Sequence, residues 1–148
     1  MFDELQDLYQ QVILDHSRSP RNYRVLDTAN RQAQGLNPLC GDSITLYLRM
    51  ENDKVQEAAF QGAGCAISKA SASLLTESIQ GKTEPEIHAL FDQVHRMLTS
   101  GQTGSADLGK LAVFAGVHKF PARVKCAILP WHAALAALAG KEGQVSTE

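Results

Sequence analysis

The sequence feature that most constrains the fold is a run of alternating side chains. From residue 43, the segment SITLYLRM places Ile44, Leu46 and Leu48 at every second position. This period of two is typical of a strand that buries one face. A turn-like segment, ENDK (51–54), and a second strand-like run, VQEAAFQG (55–62), follow directly. The pattern predicts an antiparallel hairpin, and a weaker pattern in residues 30–37 predicts a third strand.

The remaining segments have helical rather than strand-like spacing. Apolar residues recur at helical intervals near the N-terminus, and TEPEIHALFDQVHRML (83–98) begins with a capping-box pattern and Pro85 in its first turn. We expect helices over residues 2–16, 65–80, 83–98, 107–116 and much of 125–139, with a loop over 99–106. The predicted class is α+β: a single domain over residues 1–148, with a small three-stranded antiparallel sheet packed against several helices.

Composition limits the classes of function. A chain of 148 residues with 44% hydrophobic and 20% charged residues is typical of one globular domain. A net charge of -2 gives no electrostatic reason to expect nucleic acid or a membrane surface as partner. The acidic N-terminal segment does not resemble a signal peptide, and Pro130 and His132 interrupt the longest apolar stretch. We expect a cytoplasmic protein whose three cysteines form no disulfide framework.

The three cysteines lie at the predicted element boundaries. Cys40 precedes a strand, whereas Cys65 and Cys126 lie near the first turns of helices, where backbone N–H groups favour a thiolate. In extended chain Cys40 and Asp42 point to the same side, and Gly41 between them lets the backbone bend. Three thiolates and one carboxylate suit zinc, or the iron of a cluster with one labile ligand. Spacing alone leaves open the alternative of three unrelated structural cysteines.

Longer motifs around these cysteines resemble a known family. NPLCGD (37–42), FQGAGCAISKASAS (60–73) and RVKCAILPW (123–131) are similar to the U-type iron–sulfur assembly proteins, which comprise IscU, SufU and the N-terminal domain of NifU. YQQVILDHSRSPRN (9–22) resembles the opening helix and turn of that family. The resemblance implies a three-stranded antiparallel sheet with helices on one side, which agrees with the fold predicted above.

Two differences from the scaffold-type members favour the SufU branch of the family. The segment FPARVKC (120–126) lacks the LPPVK stretch of scaffold-type members and has Lys125 where those members have a histidine. The chain also has an inserted helical segment, placed at residues 84–115. The resemblance to SufU implies sulfur relay from a PLP-dependent cysteine desulfurase of the SufS type to downstream iron–sulfur assembly proteins. It also implies a Zn²⁺ site formed by Cys40, Asp42, Cys65 and Cys126.

We expect Cys40 to accept the sulfur, because it lies on a glycine-containing loop, whereas the other two cysteines are anchored by helices. Arg123 and Lys125 flank Cys126, and they are candidates to stabilise thiolate charge or to contact the partner. The main alternative is a scaffold on which an iron–sulfur cluster is assembled and transferred, with Asp42 as the labile ligand. A zinc-stabilised adaptor is a third hypothesis, and a cysteine hydrolase is the weakest, since no histidine is near a cysteine in the sequence. We expect a mobile tail over residues 140–148.

Overall fold

The sheet is built around the predicted hairpin. The computed structural model describes residues 2–38, 41–102, 108–140 and 144–146. Strands β1 (Arg31–Asn37), β2 (Asp42–Glu51) and β3 (Lys54–Ala63) pair antiparallel in sequence order, which confirms the three predicted strands. Asn52 and Asp53 make the β2–β3 turn with φ of 54° and 64°. Two adjacent residues with positive φ are typical of a tight hairpin turn, which matches the right-handed twist of its strands.

A fourth short strand extends this sheet. Strand β4 (Gln144–Ser146) pairs parallel with β1, so the order across the sheet is β3-β2-β1-β4. These three residues lie in the predicted mobile tail, where no strand was expected. The mobility of residues 140–148 stays a prediction, whereas the pairing of β4 gives β1 a neighbour on both sides.

Most helices lie close to their predicted positions. They are α1 (Phe2–Arg18), α2 (Ala66–Ile79), α3 (Glu84–Ser100), a 3-10 helix (Gly109–Lys119) and α4 (Pro121–Leu138). The predicted capping box is present, because Thr83 and Glu86 bond reciprocally to each other's backbone N–H. Within the described ranges, no helix has both the length and the apolar character needed to cross a bilayer. Thr99 and Ser100, predicted as loop, end α3, and residues 103–106 of that loop lie outside the described part, as does residue 107 of the next predicted helix.

The start of α4 differs from the prediction. The sequence pattern predicted that this helix begins near residue 125, but it begins at Pro121, which occupies its first turn. Proline is favoured there because the first N–H groups of a helix have no intrahelical partner. Cys126 therefore lies in the second turn of α4 rather than near its N-terminus, so the helix-terminus argument for its thiolate does not apply.

The core lies between the sheet and the helices. Helix α4 packs across β1 and β2, whereas α2 packs on β3 and α4. Ile44, Leu46 and Leu48 alternate along the buried face of β2 with no exposed surface. A Cβ atom added to Gly35 would lie 3.0 Å from Leu129 Cδ1, so this glycine lets α4 approach β1 closely. Burial of this alternating apolar face stabilises the hairpin.

Strand register determines which residues meet at one end of the sheet. Asn37, the last residue of β1, pairs directly with Asp42, the first residue of β2. Ser43 pairs with Ala63, the last residue of β3. Both Asn37 and Asp42 occupy buried positions of the alternating pattern, so their side chains share the face that the helices cover. A hydrophobic face therefore ends in two polar residues.

Candidate metal centre

Asp42 is a buried carboxylate at the start of β2. Only 2% of its surface is exposed. Its Oδ1 accepts a hydrogen bond from the backbone N–H of Cys65 at 2.8 Å. Among the described residues it forms no ion pair with a cationic side chain. Because buried carboxylates are normally paired with a cation or bound to a metal, the lack of a cationic partner for Asp42 among the described residues favours a metal site.

Cys65 caps the N-terminus of α2. Its backbone is extended, with φ of -75° and ψ of 167°, and its Sγ accepts from the backbone N–H of Ser68 at 3.5 Å. The Sγ atom lies 4.0 Å from Asp42 Oδ2. Gly64 makes this approach feasible, because an added Cβ would overlap Asp42 Oδ1 and lie 2.9 Å from Ser68 Oγ. The predicted position of Cys65 at a helix start is therefore confirmed, and the residue is half-buried.

Cys126 reaches the same place from α4. It has no exposed surface, and its Sγ lies 3.5 Å from the carbonyl oxygen of Ala122, one turn earlier in the helix. A hydrogen bond from Ser71 Oγ to the carbonyl of Ala127, at 2.5 Å, holds α4 against α2 beside the cysteine. Burial of Cys126 leaves this thiol inaccessible to a large partner, in contrast to the half-buried Cys65.

Asn37 also belongs to this site, although the sequence motifs did not predict a role for it. Its Nδ2 lies 3.4 Å from Asp42 Oδ2 and 3.5 Å from Cys126 Sγ, so its amide donates towards two candidate ligands. Its Oδ1 is buried and has no hydrogen-bond partner among the described residues. In the sequence, Asn37 is marked only by its separation from Asp42 by four residues. This separation indicates that the two residues are neighbours only once the register of β1 and β2 is known.

The donor atoms of Asp42, Cys65 and Cys126 converge. One carboxylate oxygen and the two Sγ atoms all lie within 4.8 Å of one another. In a tetrahedral zinc site with Zn–S bonds of about 2.3 Å, neighbouring sulfurs lie roughly 3.8 Å apart. The three donors therefore need only small shifts to share one zinc ion. Soft sulfur with one carboxylate oxygen also suits zinc better than magnesium or calcium.

The other predicted site residues are placed as follows. Cys40, the predicted fourth ligand and sulfur acceptor, lies outside the described residues. Gly41 beside it has φ of 72°, a left-handed conformation that favours glycine, so the chain turns here rather than continuing extended. Arg123 is exposed and Lys125 half-buried in the first turns of α4, and within the described part of the chain neither side chain forms a hydrogen bond or ion pair.

The histidines lie elsewhere in the fold. His16 is buried against α2, with Nδ1 2.7 Å from Ser73 Oγ and Nε2 3.8 Å from Glu77 Oε1. Burial, followed by the charge of Arg21, lowers its pKa. His132 packs against Phe91 at a ring distance of 5.4 Å, and burial likewise lowers its pKa. Within the described residues, neither histidine belongs to the group of possible metal donors formed by Asp42, Cys65 and Cys126.

Comparison with protein families gives a match over most of the chain. Residues 8–127 match the model of the NifU-like N terminal domain. This range contains all three cysteines and Asp42, and it begins within α1 and ends one residue after Cys126.

Individual relatives are similar over most of their length. The zinc-dependent sulfurtransferase SufU of Bacillus subtilis (strain 168) is 42% identical over 94% of this chain and 95% of its own. The iron–sulfur cluster assembly scaffold protein IscU of Streptococcus pyogenes serotype M1 is also 42% identical, over 88% of this chain and 82% of its own. A crystal structure from Fervidobacterium islandicum AW-1, assigned as an assembly scaffold for the SUF system, superposes with a TM-score of 0.81. That protein is 34% identical over 86% of this chain and 94% of its own.

Proposed function

Because the chain belongs to the family of NifU-like N-terminal domains, which includes the IscU and SufU proteins, we propose that it is a zinc-dependent sulfurtransferase. It accepts sulfur from a PLP-dependent cysteine desulfurase of the SufS type and supplies it to downstream iron–sulfur assembly proteins. The observation that carries the proposal is the convergence of Asp42, Cys65 and Cys126 within 4.8 Å. Similarity to the SufU of Bacillus subtilis over 94% of the chain supports sulfur transfer.

The proposed zinc ligands are Asp42, Cys65, Cys126 and, from the sequence motif, Cys40. A bound zinc ion would keep its cysteine ligands deprotonated at neutral pH. Cys65 and Cys126 are held by α2 and α4, so they form the fixed part of the site. Cys40 precedes the left-handed turn at Gly41, where the backbone can change direction with little strain.

The proposed chemical step is thiol exchange. The Cys40 thiolate attacks the outer sulfur of the persulfide on the desulfurase. A sulfur–sulfur bond forms at Cys40, the sulfur–sulfur bond of the donor breaks, and the desulfurase cysteine leaves as a thiolate. No net oxidation or reduction occurs, because one persulfide is exchanged for another. Such chemistry needs reduced thiols, which is why we place the protein in the cytoplasm.

The roles proposed for Arg123 and Lys125 follow from the positions of their side chains in α4. Arg123 is exposed in the first turn of α4, three residues before Cys126, and therefore lies on a neighbouring helical position. No acidic residue lies in this first turn. We assign Arg123 and Lys125 to contact with the desulfurase, since within the described residues they have no partner in this chain.

A scaffold for cluster assembly is the second candidate. The IscU of Streptococcus pyogenes, named as an assembly scaffold, is as similar in identity as SufU. In that role the same four residues would bind the iron of a cluster that is later transferred. Asp42 would be the labile ligand, because a carboxylate oxygen binds soft iron–sulfur centres less firmly than a thiolate does.

Metal analysis and a desulfurase assay separate these functions. We expect a colourless protein with about one zinc per chain, which accelerates the desulfurase and acquires one sulfur atom at Cys40, detectable by mass spectrometry. A brown protein that retains its cluster under anaerobic purification would instead favour the scaffold.

Two cysteine variants complete the test. Cys40→Ser should abolish sulfur acceptance and acceleration of the desulfurase. Cys126→Ser should lose zinc but retains Cys40. It therefore shows how loss of the metal alone affects sulfur acceptance and acceleration of the desulfurase. A Cys40→Ala protein that still accelerates the desulfurase would refute direct transfer and favour a zinc-stabilised adaptor.

A further inference from the structure

The proposed sulfur transfer gives no role to Asn37, although this side chain lies between two of the proposed ligands. Asn37 has no exposed surface, and its Nδ2 lies 3.4 Å from Asp42 Oδ2 and 3.5 Å from Cys126 Sγ. Its Oδ1 is the buried side-chain oxygen that lacks a hydrogen-bond partner in the described structure. Within the described structure, the side-chain amide therefore has hydrogen-bond partners only at Nδ2, which faces the metal centre.

This position is unfavourable for an amide if only the fold is considered. Ala33 and Gly35 occupy the other buried positions of β1, so the same face of the strand is otherwise without polar side chains. A buried carbonyl oxygen without a partner loses its hydrogen bonds to water and gains none in the protein. A leucine of similar size would not carry this cost. Residues that lower the stability of the fold in this way are commonly part of a functional site.

The contacts of Asn37 Nδ2 explain why an amide side chain occupies this buried position. Its Nδ2 donates to Asp42 Oδ2 and to Cys126 Sγ, so this one side chain contacts two of the proposed ligands. Asp42 is consequently held at both oxygens, with Oδ1 bonded to the backbone N–H of Cys65 and Oδ2 facing Asn37. Outer partners of this type orient metal ligands and commonly change metal affinity when they are removed.

We propose that Asn37 is a positioning residue that holds Asp42 and Cys126 in the orientation needed to bind the metal and so slows its release. The inference rests on the proposed metal site but not on sulfur transfer. It predicts that removal of the amide affects metal release and stability of the metal-free protein in different directions.

Asn37→Leu tests this directly. With zinc-loaded protein and an excess of a chromophoric chelator, we expect zinc release to be about 10- to 100-fold faster than in the wild type. Without metal, the variant should unfold at the same urea concentration as the wild type or at a higher one. Substitution by Co²⁺ gives a second readout, because the absorption bands of the bound ion change when ligand geometry changes.

Thr76→Val is the matched control for loss of a buried polar group. Thr76 lies near the C-terminal end of α2, where its hydroxyl accepts from Asn22 Nδ2 at 3.1 Å and donates to the carbonyl of Ser73 at 2.7 Å. We expect this variant to unfold at lower urea but to release zinc at the wild-type rate. It therefore shows what lower stability alone does to metal release.

Asn37→Ala covers the case in which leucine does not fit. It removes the same two donors without added bulk, so zinc release should quicken in both variants and not in Thr76→Val. Wild-type release rates in both Asn37 variants would overturn the proposal and assign Asn37 to the fold. Failure of the wild type to bind zinc would instead reject the metal site, whereas zinc binding without desulfurase stimulation would reject only sulfur transfer.

Discussion

The carboxylate of Asp42 and the backbone N–H of Cys65 are joined by a hydrogen bond of 2.8 Å. This bond connects the first residue of β2 to the residue that caps α2. Asp42 therefore has a structural contact in addition to its proposed role as a ligand. Loss of the carboxylate should have effects even when no metal is bound.

Asp42→Ala should destabilise the zinc-free protein by about 1–3 kcal/mol, because the backbone N–H of Cys65 loses its buried acceptor. Asp42→Asn should cost less, since a side-chain oxygen remains available to that N–H. Urea unfolding of both variants under reducing conditions measures the difference. Equal destabilisation by the two substitutions would show that the hydrogen bond contributes little.

Zinc retention should depend more on Cys65 than on Asp42. Cys65→Ser removes a soft sulfur ligand at the fixed end of the site, whereas Asp42→Ala removes the harder oxygen ligand. After dialysis against the same chelator, we expect Asp42→Ala to retain more zinc than Cys65→Ser. The reverse order would show that the carboxylate is not the weaker ligand.

Gly64→Ala should disturb the site through steric overlap. The added Cβ would overlap Asp42 Oδ1, and the φ of 153° at this position is unfavourable for alanine. We expect a loss of roughly 1–3 kcal/mol in unfolding free energy together with weaker zinc retention.

Gly116→Ala is the control for Gly64→Ala. A Cβ atom at Gly116 meets nothing within 4 Å, and its φ is not positive. Its unfolding free energy and zinc retention should stay close to those of the wild type. A Gly64→Ala protein that behaves like this control would mean that Asp42 moves aside without consequence.

Stability should fall as the solution becomes mildly acidic. Burial lowers the pKa of His16 and His132 below the usual value of about 6.5, so the unfolded chain binds more protons than the folded one just below that pH. The unfolding free energy should therefore be highest above about pH 6.5 and decrease as pH falls towards the folded pKa values, by at most about 1.4 kcal/mol per pH unit for each histidine.

Urea unfolding of the zinc-free protein between about pH 7.5 and 5.5 measures this dependence, above the range in which ordinary carboxyl groups titrate. His132→Leu should make the dependence shallower, since the imidazole that packs against Phe91 is then absent. An unchanged dependence in this variant would assign the loss of stability to other groups.

Sequence patterns predicted the hairpin well because local alternation and burial agree in β2. Ile44, Leu46 and Leu48 are apolar, regularly spaced and fully buried, so no distant contact opposes the local pattern. The three residues of β4 are too few to form a periodic pattern, and their pairing depends on where β1 lies.

Predictions for the site depended on motif resemblance more than on physical reasoning. Cysteine spacing left structural thiols as an alternative, whereas the motifs around Cys65 and Cys126 identified two residues whose donors converge with that of Asp42. Asn37 was missed because asparagine before proline is common in turns, and its burial follows from strand register rather than from its neighbours in sequence. The start of α4 was missed because its first turn lacks acidic residues and a side-chain cap.

The parallel pairing of Gln144–Ser146 with Gln34–Leu36 has a practical consequence for handling the protein. The residue after Leu36 is Asn37, so the C-terminal strand borders the segment that enters the metal centre. A polyhistidine tag fused beyond Ser146 would introduce competing imidazole ligands close to that segment. Metal stoichiometry is therefore best measured on protein tagged at the other end, or after the tag has been cleaved.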